Sequence, residues 1–129
     1  FRQRVCKANI MANILIIDDS KSMRELVLST LQQGGHQVQT AENGKVGVQE
    51  AEKDSYDVVI TDINMPVMDG FEVTKVLRDN PKYKTKPILV LTTDSGTDSK
   101  TKGKNAGATG WIVKPFSPEQ LLKTIQRVL

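Results

Sequence analysis

Two apolar runs, each closing on acid, constrain this chain more than any other feature. Asn-Ile-Leu-Ile-Ile-Asp occupies 13–18 and Asp-Val-Val-Ile-Thr-Asp-Ile occupies 57–63. A strand with one wet face alternates apolar and polar residues. A run without that alternation is buried on both faces, as in a parallel sheet covered by helices. Parallel neighbours cannot be joined by hairpins, so helical crossovers are expected between the runs.

The rest of the chain supplies them. After Ser20, the residues Met23, Leu26, Val27, Thr30 and Leu31 recur at helical spacing, and Gly34-Gly35 ends the helix. Gln37–Ala41 reads as a more polar edge strand. Asn43-Gly44 turns into a helix that carries Val46 and Ala51 on its stripe, with Val48 off it. Met65-Pro-Val-Met-Asp-Gly70 is a loop, and a helix follows over 71–79 with Phe71, Val73, Val76 and Leu77 inward. Residues 88–93 form a fourth strand, and 98–106 a helix that is marginal because it has few apolar side chains. A fifth strand spans 110–114. Ser117-Pro-Glu-Gln opens the last helix with Ser117 as N-cap, Pro118 at its first position and Gln120 closing a capping box. Its buried face is Leu121, Leu122, Ile125, Val128 and Leu129. Five strands alternating with five helices specify an α/β domain, a doubly wound parallel sheet covered on both faces.

Composition narrows the function classes. At 129 residues the chain holds one domain, able to fold without disulfides or metal. The single Cys6 rules out an internal disulfide or a cysteine-rich zinc site. Aromatic residues make up only 5%, against a stacking surface for nucleic acid. The net charge is +3, yet Arg2, Arg4 and Lys7 lie in the first ten residues, where no acid balances them. Met11 then opens Met-Ala-Asn-Ile-Leu-Ile-Ile-Asp-Asp like a natural start. Residues 1–10 read as an expression-derived or upstream-translated leader and 11–129 as the domain; the leader has no secretory apolar core. Within the domain, 11–74 carry four basic and eleven acidic residues, and 75–129 carry eleven basic and four acidic. The acidic half points to a site, and the basic half to a surface available to partners. Lys82, Lys84, Lys86, Lys100, Lys102 and Lys104 read by default as a solvated face. His36, after two glycines, reads as a surface residue.

In a parallel sheet the strand ends share one mouth, where such folds bind ligands. Asp18 and Asp19 end strand one, Asp62 strand three, Thr92 strand four and Lys114 strand five. Three carboxylates this close repel, so at least one pKa rises unless a cation intervenes. Magnesium suits an all-oxygen set that retains waters and accepts phosphate oxygens, whereas no His or Cys is at hand for zinc. With a lysine and a hydroxyl nearby, the mouth has the parts to hold a phosphoryl group, and Asp62, central in the sheet, is the candidate acceptor.

Ile16-Ile-Asp-Asp-Ser20, Thr61-Asp-Ile-Asn-Met-Pro-Val-Met-Asp-Gly70, Leu91-Thr92 and Gly110-Trp-Ile-Val-Lys-Pro-Phe116 resemble the landmarks of response-regulator receiver domains. The resemblance covers essentially all of 11–129, and is strongest to stand-alone chemotaxis receivers of the CheY type. It implies a flavodoxin-like fold with strand order 2-1-3-4-5 and phosphorylation of Asp62 by a histidine kinase (CheA-like). It implies Mg²⁺ held by Asp19, Asp62 and the Asn64 carbonyl, with Asp18 acting largely through a water. Lys114 would contact the phosphoryl oxygens. Thr92 and Trp111 would move in step with phosphorylation, switching the helix 4, strand 5 and helix 5 face toward a protein target such as a flagellar-motor switch protein. Asn64 and Asp94 would tune the hydrolytic water, and a phosphatase could assist it. Trp111 stands where the family usually has Tyr or Phe, and Thr93 where a smaller residue is common. A monomer in the cytoplasm is expected, with no DNA binding and no membrane insertion. The alternatives are a phosphate-sink receiver that drains a kinase, a small Mg²⁺-dependent phosphohydrolase, and an FMN-type binder. The phosphohydrolase would need a cap, and the FMN binder a phosphate-cradling loop after strand one.

Overall fold

The computed structural model describes residues 12–93 and 97–129; residues 1–11 and Asp94 lie outside them. Strands β1 (Asn13–Ile17), β2 (Gln37–Ala41), β3 (Val58–Asp62), β4 (Ile88–Thr92) and β5 (Gly110–Val113) form one sheet in the order β2-β1-β3-β4-β5. All four pairings are parallel. Helices α1 (Lys21–Gln33), α2 (Gly44–Lys53), α3 (Gly70–Arg78), α4 (Thr97–Ala106) and α5 (Pro118–Val128) make the crossovers, with a 3₁₀ turn at Pro81–Tyr83.

Successive side chains on a strand point to opposite faces, so the sheet carries two cores. Ile14 and Ile16 of β1 pack with Val27 and Leu31 of α1 and with Leu121 and Ile125 of α5. Leu15 and Ile17 pack on the other face with Ala51 of α2 and with Val73 and Leu77 of α3. β3 and β4 are buried at every position, which accounts for their unbroken apolar runs. β2, on the edge, buries only Ala41 fully.

Local chemistry sets the helix ends. Ser20, Asn43, Asp69 and Ser117 are the N-caps of α1, α2, α3 and α5. In α5, the Gln120 amide donates to Ser117 Oγ at 3.1 Å and the Ser117 amide to Gln120 Oε1 at 2.9 Å, so the expected capping box is present. Such a cap is worth about 1 kcal/mol. Gly35, at φ +89°, follows the C-cap of α1 in a conformation that side chains with a Cβ avoid.

Several expectations about burial are corrected. Leu26, Val76 and Leu129 are exposed. At 100° per residue, Leu26 lies about a quarter turn off the line of Val27, Thr30 and Leu31, and Val76 is similarly off the line of Val73, Thr74 and Leu77. Leu129 is past the last turn of α5. Val48 packs against the second core after all. Gly44, Gly47 and Ala51 are the buried line of α2, and Val48 is four residues from Gly44 and three from Ala51. Glycines carry no hydrophobic signal, so this face was hidden in the pattern. Of the lysines read as a solvated face, Lys82 donates to the Glu52 and Asp54 carbonyls at 3.1 and 3.0 Å, capping the end of α2. Lys86 pairs with Asp57 at 3.7 Å.

His36 is also corrected, from surface to buried. Its Nδ1 accepts the Ala12 amide at 3.2 Å, joining the starts of β1 and β2. This bond needs an unprotonated Nδ1, and burial lowers the His36 pKa from 6.5. The unfolded chain therefore takes up the proton first as pH falls. The stability carried by neutral His36 is complete above pH 6.5 and declines below it, down to the lowered folded value. The thermal midpoint should fall between pH 7.5 and pH 5.5, and His36→Gln, which keeps an acceptor without a titrating ring, should flatten that slope. An unchanged slope would contradict a role for His36.

Candidate functional site

The sheet order reverses between β1 and β3, because the chain leaves β1 for the β2 edge and returns past it to β3. In folds of this kind ligands bind outside the carboxyl ends of the strands at such a reversal. Asp18 and Asp19 follow β1, Asp62 ends β3, Thr92 ends β4 and Lys114 follows β5. Asp18 is fully buried, Asp62 and Thr92 are buried, and Asp19 is exposed. One carboxylate oxygen from each of Asp18, Asp19 and Asp62 lies within 4.8 Å of the others. Lys114 enters this cluster past a cis Lys114–Pro115 peptide. Its Nζ lies 3.1 Å from Asp62 Oδ1 and 3.8 Å from Asp18 Oδ2. Backbone bonds hold the strand ends in place: the Lys114 amide donates to the Thr92 carbonyl at 2.7 Å and the Ile63 amide to the Leu91 carbonyl at 3.3 Å.

Gly70 brings α3 against the end of β3. A Cβ at this position would overlap the Asp62 carbonyl oxygen and lie 2.9 Å from Ile63 Cα. The Gly70 amide donates to the Ile63 carbonyl at 2.9 Å. This close approach pins the backbone immediately after Asp62. Asn64 is exposed in the loop that follows. Val67 in the same loop has φ 73°, uncommon for a β-branched residue, and the Met68 amide closes the turn on the Pro66 carbonyl at 2.8 Å.

Asp18 shows the electrostatic character of the site. Its Oδ1 accepts the Ser20 amide at 2.9 Å, while Oδ2 is buried without a hydrogen-bond partner. Burial raises its pKa above 3.8; the Ser20 amide opposes this, the Asp62 charge adds to it, Lys114 opposes it, and Asp19 adds a little more. Three carboxylates face one ammonium, the donors are all oxygen, and one buried oxygen is unsatisfied. A hard divalent cation fits that set. Asp18, Asp19 and Asp62 are the residues that could hold it.

Trp111 and Val113 alternate with buried Ile112 along β5 and are each 38% exposed. They line a groove with Phe116, Gln120, Lys123 and Arg127 beside α5. The core packing that a tryptophan ordinarily signals is therefore not its role here.

Residues 14–126 match the response regulator receiver domain family. The chain belongs to that family, whose members are signalling switches of two-component systems. It is 41% identical over 119 residues to the protein PilH of Pseudomonas aeruginosa, covering 92% of this chain and 98% of that protein. Among solved structures, the chemotaxis response regulator CheY4 of Vibrio cholerae superposes with TM-score 0.90 at 52% identity, covering 93% of this chain and all of that one. The receiver domain of sensor histidine kinase PA1611 from P. aeruginosa, solved with a magnesium ion coordinated in its active-site cleft, superposes at 0.85 with 26% identity over 92% of this chain. The CheY-type resemblance and the strand order 2-1-3-4-5 thus hold.

The structure brings together Asp18, Asp19, Asp62 and Lys114, as their places at strand ends implied. Thr92 ends the neighbouring strand, Trp111 lies outside the mouth on β5, and Asp94 is outside the described residues. Sequence reasoning missed Arg24, whose Nη1 donates to the Asp18 carbonyl at 2.7 Å. The only signal was its position six residues beyond Asp18, one turn into α1. No helix among the described residues is long and apolar enough to cross a membrane.

Proposed function

We propose that this protein is a phosphorylation-switched response regulator of a chemotaxis-type two-component pathway, with Asp62 as phosphoacceptor. The observation that carries this reading is the Asp62 carboxylate: it lies at the sheet mouth, is bonded to Lys114, and is grouped with two further carboxylates. Receiver domains of CheY-like proteins accept phosphate from histidine kinases and bind protein targets.

In this reading Asp19, Asp62 and the Asn64 carbonyl would hold Mg²⁺, with Asp18 supporting the site, and the ion would supply charge neutralisation for the phosphoryl group. An Asp62 carboxylate oxygen attacks the phosphorus of a phosphohistidine on a CheA-like kinase; the P–O bond forms as the P–N bond breaks, and the histidine nitrogen takes a proton. Lys114 Nζ pairs with the phosphoryl oxygens in place of the carboxylate it now touches. The Thr92 hydroxyl donates to a phosphoryl oxygen. Water later attacks the phosphorus in line, releasing inorganic phosphate and restoring Asp62; Asn64 and Asp94 tune that water. Phosphorylation adds about −1.5 to −2 charge at the mouth. It favours one of two pre-existing arrangements of Thr92 and Trp111, and so of the α4-β5-α5 face. A flagellar-motor switch protein or another signalling protein is the target, a phosphatase can shorten the signal, and the working state is a cytoplasmic monomer without DNA binding or membrane insertion.

Trp111 is the sole tryptophan. Its fluorescence should change when acetyl phosphate is added in Mg²⁺, and the change should disappear in Asp62→Asn. An equal donor response in both proteins would remove Asp62 from its role. Capture of a target with and without the phosphoryl group then separates a target-binding regulator from a phosphate sink.

A further inference from the structure

Each polar atom of Asp18 except Oδ2 has a partner. Its amide donates to the Ala41 carbonyl at the end of β2, at 3.1 Å. Its Oδ1 accepts from the Ser20 amide, and its carbonyl accepts from Arg24 Nη1 at 2.7 Å. Only Oδ2 is unsatisfied, and it lies toward Lys114 in the carboxylate cluster. The first two bonds come from backbone donors or acceptors that any sequence could provide. The third depends on one side chain, which reaches back from α1 to the end of β1 and is itself partly buried.

We propose that Arg24 is a positioning residue for the acidic site. The Asp18 carbonyl belongs to the peptide plane that carries the Asp19 amide, so a donor on that oxygen fixes the plane from which Asp19 projects. Arg24 thereby sets the relative placement of two carboxylates, one buried and one exposed, without touching either. Its guanidinium remains charged at any accessible pH and bonds a neutral carbonyl, so it adds order to the β1–α1 turn without titrating. Loss of such a supporting bond lowers metal affinity by about 10–100-fold. The proposal rests on the metal-binding reading given above.

The test is an amide NMR titration with MgCl₂ of wild type, Arg24→Met, Arg24→Lys, Asp19→Asn and Val27→Ala, with amide hydrogen exchange measured before metal is added. Arg24→Met should weaken Mg²⁺ binding about tenfold and speed exchange of the Ser20 amide, and Arg24→Lys, which keeps a donor, should recover most of both. Val27→Ala, a core truncation in the same helix, should lower the unfolding midpoint and leave Mg²⁺ affinity within about twofold, which separates positioning from helix stability. Wild-type affinity in Arg24→Met, with binding lost in Asp19→Asn, would overturn the positioning role and leave the metal reading standing. No Mg²⁺ binding by wild type would overturn the metal reading as well.

Discussion

Asp18→Asn should make the metal-free protein more stable and the Mg²⁺-bound protein harder to form. Asp18 is fully buried, its Oδ2 lacks a hydrogen-bond partner, and its pKa is raised, chiefly by burial and then by the Asp62 charge. For a group whose folded pKa is raised, the stability contribution is complete below the unfolded value of 3.8 and is lost as pH rises through the folded value. The penalty therefore grows as pH rises above 3.8 and is complete above the folded value. The amide keeps Oδ1 as acceptor for the Ser20 N–H and removes a buried charge beside Asp62, at the cost of the 3.8 Å pair with Lys114. Leaving a buried polar atom unsatisfied costs about 1–3 kcal/mol, so a gain near the lower end would raise the midpoint by roughly 3–6 °C in a domain of this size. The same change removes a charge that favours the cation and should weaken Mg²⁺ binding by about 10-fold or more. Calorimetric unfolding at pH 7.5, with EDTA and then with saturating MgCl₂, reads both effects. An Asp18→Asn midpoint below wild type in EDTA would contradict this electrostatic account.

Gly70→Ala should destabilise the fold severely, although it adds a single methyl group. The new Cβ would meet the Asp62 carbonyl oxygen and Ile63 Cα, both backbone atoms that cannot rotate away as a side chain can. Overpacking of this kind costs about 1–3 kcal/mol and sometimes more; with backbone on the receiving side, about 3 kcal/mol or outright unfolding is expected. Any surviving fold would have the chain after Asp62 displaced, so phosphoryl uptake should fall with stability. Guanidinium unfolding checks this. A loss under about 0.5 kcal/mol would show that α3 does not press on the end of β3 as described.

The alternation of strands and helices was legible because fully buried strands leave unbroken apolar runs and parallel ends point one way. That rule alone put Asp18, Asp19, Asp62, Thr92 and Lys114 at one end of the sheet. The unread features depend on atoms that hydrophobic patterns ignore. Gly44 and Gly47 define the buried line of α2 by lacking side chains, so the packing of Val48 beside them left no mark in the pattern. Gly70 read as a loop breaker, although its role is to let two backbones touch. His36 followed two glycines and looked solvated, and only the pairing of β1 with β2 gives its ring a buried donor. Arg24 left no signal in the sequence pattern, because its partner is a backbone carbonyl rather than an acid. Leu26 and Val76 show the opposite error: an apolar residue near a stripe is not always on it.

The proposed switch depends on Asp62 as the phosphoacceptor. The direct measurement is mass spectrometry of the protein after acetyl phosphate treatment in Mg²⁺, with borohydride reduction to mark any acyl phosphate and peptide mapping to locate it. One modification is expected on the peptide containing Asp62, absent in Asp62→Asn and strongly reduced when EDTA replaces Mg²⁺. An acyl phosphate on another carboxylate in the wild-type protein, with Asp62 unmodified, would contradict it.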